Sequence, residues 1–166
     1  MIRNRGLAFD LGIRTGWAAD DTEGTIPLAG LWQIDHKKLG MAFLQLEGEV
    51  FRAVRQLKPD YLCYEAAIAA PWGKTNADTS RKLLGFGTVV MMTAARLGLP
   101  CFDVNLTSAR KYLTGNGRAS KSDVWYHCKN NGWPDDDLNK CDAICVLVFA
   151  RARFGVQQLL GRTIDG

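Results

Sequence analysis

A chain of 166 residues, 47% hydrophobic and 23% charged, has the size and composition of one domain built on a single core. Its formal charge of +4 permits an anionic partner without demanding one, so any case for nucleic acid rests on where Lys and Arg cluster. No apolar run approaches the ~20 residues that span a bilayer, no signal peptide is visible, and five cysteines without a CxxC pair argue against a disulfide framework or a zinc site and for a reducing, cytoplasmic setting.

In chain order, residues 7–9 and 15–19 flank Gly12 and Gly16 and predict two short strands joined by a tight turn, with 28–34 as a third: an opening β-meander. Met41, Phe43, Leu44, Leu46, Val50, Phe51, Val54 and Leu57 recur at helical spacing opposite Glu47, Glu49, Arg52 and Arg55, which predicts an amphipathic helix over 41–57. Pro59 and Asp60 close it, and 61–65 follows as a continuous apolar strand of the kind buried on both faces. Residues 66–76, with Pro71 and Gly73, read as a loop. A long helix over 79–97 stopped by Gly98, a strand over 101–104, a short helix over 108–113, a glycine turn over 114–117 and a helix over 121–131 come next. Pro134 is expected to start the last helix, with Asp135, Asp136 and Asp137 in its first turn, where negative charge suits the helix dipole. The result is a mixed α/β domain over 1–156 with a loosely held tail, 157–166.

Asp10, Glu65 and Asp142 interrupt this pattern. Asp10 ends the run Leu7-Ala8-Phe9, Glu65 ends Tyr61-Leu62-Cys63-Tyr64, and Asp142 opens the apolar stretch 143–150. A buried carboxylate is costly unless it is hydrogen-bonded, paired or bound to a cation. One alone reads as a cap or a salt-bridge partner; three together point to a site for a hard divalent cation of the kind that handles phosphodiesters. Two such ions ~3.5–4 Å apart would activate a water on one side and stabilise the leaving oxygen on the other. Gly12 would let a phosphate backbone approach beside Asp10. Basic residues gather nearby in sequence, Arg110, Lys111, Arg118, Lys121 and Lys129 in one stretch and Lys74, Arg81 and Lys82 in another. The phosphate-cradling motifs GxxxxGK[ST] and GxGxxG are absent, as is GxSxG, so nucleotide-loop enzymes and serine hydrolases are excluded.

The ordered set Phe9-Asp10-Leu11-Gly12-Ile13-Arg14-Thr15-Gly16-Trp17, Pro59-Asp60 through Tyr64-Glu65, Gly115-Asn116-Gly117-Arg118-Ala119-Ser120-Lys121, and Cys141-Asp142-Ala143 resembles the RuvC family of Holliday junction resolvases over residues 5–152. The resemblance implies an RNase H-like α/β fold, its mixed sheet opened by an antiparallel β-meander and covered by helices on both faces. It also implies a homodimer and Mg²⁺-dependent cleavage, with Mn²⁺ substituting, of two symmetric strands of a four-way DNA junction. Carried over residue by residue, Asp10 and Glu65 match the metal ligands of the first and second motifs, and Asp142 the carboxylate on the C-terminal helix. The fourth family position, three residues before that carboxylate and usually acidic or histidine, is here Asn139, which offers a carbonyl oxygen but neither charge nor a base. Asp135 or Asp137 would compensate if the helix starts differently.

Arg110 and Lys121 match family lysines near the scissile phosphate, Lys121 the more firmly. The first turn is one residue shorter than the family pattern, and the family's aromatic three positions after the second carboxylate is replaced by Ile68, which leaves Ile68 or Trp72 as the apolar wedge at the junction centre. Arg14, Lys74, Lys111 and Arg118 complete the expected DNA contacts. The rival readings are a RuvC-like RNA-processing nuclease and a junction-binding protein with a weakened active site. A sugar-kinase or actin-like ATPase is excluded by length, and no branch-migration motor is indicated by the residues themselves.

Overall fold

The structure, a computed structural model, describes residues 4–21, 26–35, 37–67 and 77–159, with 154–159 as helix backbone only. Strands β1 (Gly6–Asp10), β2 (Arg14–Ala19) and β3 (Leu28–Gln33) form the expected meander. They are followed by α1 (Leu39–Leu57), β4 (Tyr61–Glu65), α2 (Ala77–Leu97), β5 (Cys101–Val104), α3 (Leu106–Thr114), α4 (Lys121–Asn130) and α5 (Leu138–Leu159). The sheet runs β3-β2-β1-β4-β5. β1 pairs antiparallel with β2 and parallel with β4, so the sheet changes character at its central strand, every residue of which is buried.

Side chains two apart in a strand share a face, and the two cores follow that rule. Leu7 and Phe9 of β1, with Leu62 and Tyr64 of β4, pack toward α1 and α2 in one core; Ala8, Tyr61 and Cys63 face α5, α4 and α3 in the other. The parity continues to the strand ends. Asp10 follows Ala8, and Glu65 follows Cys63, so both carboxylates emerge on the α5 face.

Four sequence expectations are corrected here. The last helix begins at Leu138, not at Pro134. The segment before it is held by tertiary bonds: Trp125 Nε1 donates to the carbonyl of Asp135 at 2.7 Å, and Asp137 accepts from the backbone N–H of Asn139 at 2.8 Å, which makes Asp137 the helix cap rather than a first-turn residue. The short helix expected over 108–113 starts earlier, at Leu106, because the Asn105 side chain caps it. On α1 the buried stripe is Ala42, Leu46, Val50 and Ala53, whereas Met41 and Leu44 stand in solvent. α5 reaches Leu159, past the tail boundary expected at 156. The five cysteines are free, four of them buried as small core residues. Among the described residues no helix is long and apolar enough to cross a membrane.

Candidate active site

β1 and β4 are parallel neighbours with Phe9 opposite Tyr64, so Asp10 and Glu65 leave the sheet side by side. They hydrogen-bond to each other. Burial, only partly offset by Lys121 and reinforced by the charges of Glu65 and Asp142, pushes the Asp10 carboxyl up to about 8. Burial likewise raises Glu65. Two carboxyls in contact with little water share a proton rather than both ionise.

Asp142 reaches the same place from α5, and its side chain is 1% exposed. Two cations meet it. Arg110 of α3 approaches Oδ1 at 3.4 Å while donating to the carbonyl of Ala119 at 2.9 Å. Lys121, the first residue of α4, brings its ammonium to 2.9 Å from Oδ2. That second contact is a short, charge-assisted one that engages Oδ2, an oxygen otherwise buried from solvent. The same ammonium donates to Asn139 Oδ1 at 3.1 Å and stands 3.7 Å from Asp10 Oδ2. Burial works against the charge of Lys121, but Asp142, Asp10 and Glu65 outweigh it and hold the ammonium above its ordinary range. Ser120 and Asp123 cap α4 reciprocally and so fix where Lys121 emerges.

A cavity of about 320 Å³ opens over this group, lined by Asp10, Glu65 and Lys121 together with Leu11, Leu83 and Leu106. Oxygen donors from two carboxyls at its wall and a third carboxylate behind them are of the type that suits a hard divalent cation. Among the described residues, no three His, Cys, Asp or Glu side chains are grouped so as to hold a metal ion; the Lys121 ammonium stands among the carboxylates instead.

The acidic residues before α5 do not join this group through any of their described bonds. Asp137 divides its carboxylate between the Asn139 amide and Arg14, 2.7 Å away. Asp136 pairs with Lys140 at 2.7 Å, and Asp135 offers its carbonyl to Trp125. It is Asn139 that faces the site. Arg110 is largely buried and paired with Asp142, while Lys111 and Arg118 are exposed. Arg14 is engaged by Asp137, with much of its guanidinium still in solvent. Ile68, Trp72 and Lys74 lie outside the described residues.

Comparison with known proteins gives one consistent result. No family model matches the chain. It is similar to the crossover junction endodeoxyribonuclease RuvC of Ruegeria pomeroyi, 26% identical over 95% of this chain and 96% of that one. The protein of the same name from Paramagnetospirillum magneticum is 28% identical over 96% and 98%. The similarity to curated RuvC proteins thus runs along nearly the whole chain. The RuvC structure of Thermus thermophilus superposes with a TM-score of 0.71 at 18% identity, covering 91% of this chain and 96% of that chain. The RuvC of T. thermophilus in complex with a Holliday junction substrate gives 0.73 at 14%, over 92% and 97%. These establish the RuvC fold, RNase H-like in type, over about nine-tenths of the chain.

Within this fold, two residues that organise the site escaped the sequence reading. A β-carbon on Gly16, which sits opposite Asp10 in the β1–β2 ladder, would lie 2.1 Å from the carbonyl oxygen of Asn139. Only glycine lets β2 and α5 approach this closely. Gly12 has no such neighbour, its nearest contact being 3.5 Å away, so the protein's own packing does not demand glycine there. The other residue is Asp137, whose role as cap appears only once α5 is seen to start after it. An Asp just before an apolar helical run is a cap signal, but the run of three aspartates hid which one serves.

Proposed function

We propose that this chain is a divalent-metal-dependent endonuclease that resolves four-way DNA junctions by hydrolysing phosphodiesters in paired strands. The observation that carries the reading is the convergence of Asp10, Glu65 and Lys121, distant in sequence, on one cavity, with Asp142 behind them against Lys121. Mg²⁺, or Mn²⁺ in its place, would be held by Asp10, Glu65 and Asp142 with Asn139 contributing a neutral oxygen, and would supply the Lewis acidity that makes a bound water nucleophilic at neutral pH.

The chain's own residues divide the remaining work. Lys121 is placed to neutralise charge on the phosphate beside the carboxylates. Arg110 holds Asp142 in line and takes part of its charge. Asn139 cannot accept a proton, so it orients and does not act as a base. The exposed Lys111, Arg118 and Arg14 supply the salt-sensitive grip on the DNA backbone, and Ile68, Trp72 and Lys74 are proposed to meet the junction centre. Two cuts call for two copies, and the exposed Met41, Leu44, Leu84, Met91 and Met92 of α1 and α2 offer an apolar face of the sort that protein contacts use.

The test is cleavage of a labelled mobile four-way junction with and without Mg²⁺. Cutting is expected to require the ion and to fall by at least about a hundredfold in Asp10→Asn, while the gel shift of the junction in Ca²⁺ stays within about twofold because basic residues hold the DNA. Normal cutting by Asp10→Asn overturns the assignment. A structured RNA of the same branching serves as the competitor substrate; faster cleavage of RNA would move the reading to RNA processing.

A further inference from the structure

An ion pair ties β2 to the residue that caps α5. Arg14 opens β2 two residues before Gly16, whose face of the strand lies against the Asn139 carbonyl. Residues two apart share a face, so Arg14 leaves the sheet on the side that α5 covers, just beyond Asp10, which pairs with Gly16. Arg14 Nη2 donates to Asp137 Oδ2 at 2.7 Å, the other carboxylate oxygen accepts from the Asn139 amide at 2.8 Å, and the Asp137 carbonyl accepts from the Cys141 amide at 3.1 Å. Asp137 is therefore held by backbone and side chain alike. Its side chain is 18% exposed, that of Arg14 57%. The turn before Arg14 is set as firmly, with Thr15 Oγ1 donating to the Gly12 carbonyl at 2.7 Å and the Ile34 amide to the Ile13 carbonyl at 2.8 Å. An ion pair so open to water adds little stability. What it fixes is the direction of a long side chain, whose other guanidinium donors have no partner among the described residues.

We infer that Asp137 is a positioning residue for DNA: it holds Arg14 extended at the rim of the carboxylate site, so that the free edge of the guanidinium meets a backbone phosphate of the substrate. This rests on the junction-cleavage reading above and deepens it. An acidic residue beside a nucleic acid ordinarily weakens binding by repelling phosphate. Here both carboxylate oxygens are engaged, one of them under the guanidinium, so an approaching phosphate meets the cation first. The ordering of Arg14 is then complete in the folded protein instead of being required when DNA binds. An arginine suits the task because the donors left over after Asp137 can still make paired N–H contacts to phosphate oxygens. Counting charges and positioning the side chain predict opposite signs for the loss of Asp137.

The experiment measures binding of a four-way DNA junction in Ca²⁺ and its cleavage in Mg²⁺, for the full chain and for Asp137→Asn, Asp137→Ser, Arg14→Gln and the double variant Asp137→Asn with Arg14→Gln. Asn and Ser cap helices about as well as Asp, so both Asp137 variants keep the start of α5, which circular dichroism and urea unfolding check. Each is expected to bind the junction about fivefold more weakly, with KM raised to match and kcat changed by less than about twofold. The double variant is expected to bind no more weakly than Arg14→Gln alone, because Asp137 acts only through that side chain. Unchanged or tighter binding by either folded Asp137 variant, or a further loss of the same size in the double variant, overturns the inference and leaves the nuclease reading standing. A native chain that does not bind the junction overturns that reading, and the inference with it.

Discussion

Asp10 and Glu65 stand on neighbouring strands and face each other, whereas Asp142 stands on a helix and faces two cations. The two settings relieve the cost of burying a carboxylate differently. On the strands, where adjacent backbone is fully used in the ladder, the acids share a proton, and burial lifts Asp10 to about 8. On α5, Arg110 and Lys121 supply the counter-charge from α3 and α4. One half of the site is mainly self-paired, with Lys121 3.7 Å from Asp10, and the other is neutralised by the protein's own cations.

That contrast can be broken most forcefully from the helix side. Arg110→Met leaves Asp142, 1% exposed, with Lys121 as its only counter-charge, and is expected to destabilise the fold by about 3 kcal/mol in urea unfolding. A change below about 1 kcal/mol would mean that Lys121 alone neutralises Asp142. Gly16→Ala tests whether the halves are held together by backbone proximity. Its new β-carbon meets the Asn139 carbonyl, so about 2 kcal/mol of stability should be lost and Mn²⁺ binding weakened, whereas Gly12→Ala, which meets nothing closer than 3.5 Å, should fold normally. Equal stability of the two variants would show that α5 is not seated through Gly16.

The strand side responds to pH. Asp10 keeps its proton up to about 8, and an ion must displace it, so Mn²⁺ affinity should climb about tenfold per pH unit below that point and level off above it. Without metal, the folded protein holds a proton that the unfolded chain loses above the ordinary value of 3.8. Stability contributed by this group therefore falls as pH rises from about 4 to about 8. An affinity flat between pH 6 and pH 8 would place the shared proton elsewhere.

Much of this was legible in the chain. The strand over 61–65 and the strand over 101–104 were readable to the residue, because each is a short apolar run bounded by Pro59-Asp60, by Pro100 or by a polar residue. Asp10, Glu65 and Asp142 stood out by interrupting core sequence. What failed was local wherever a distant partner decided the outcome. The start of α5 differs from the expectation because Trp125 and the capping bond from Asp137 fix it, and the pairing of Arg110 with Asp142 could not be read in advance because nothing in its neighbourhood announces Asp142, 32 residues away.

By itself, then, the sequence determined which residue types stand at the ends of which elements: hydrophobic periodicity and turn chemistry act over a few residues and need no partner. The tertiary structure alone decided which of those side chains meet. Strand parity sends Asp10 and Glu65 to the face that α5 covers, and a missing side chain at Gly16 lets that helix come close enough to deliver Asp142 and Asn139. Lys121 becomes the cation among them only because α4 begins there. Charge compensation in a site without much water depends on distances of a few ångströms between segments remote in the chain, and such distances are a property of packing.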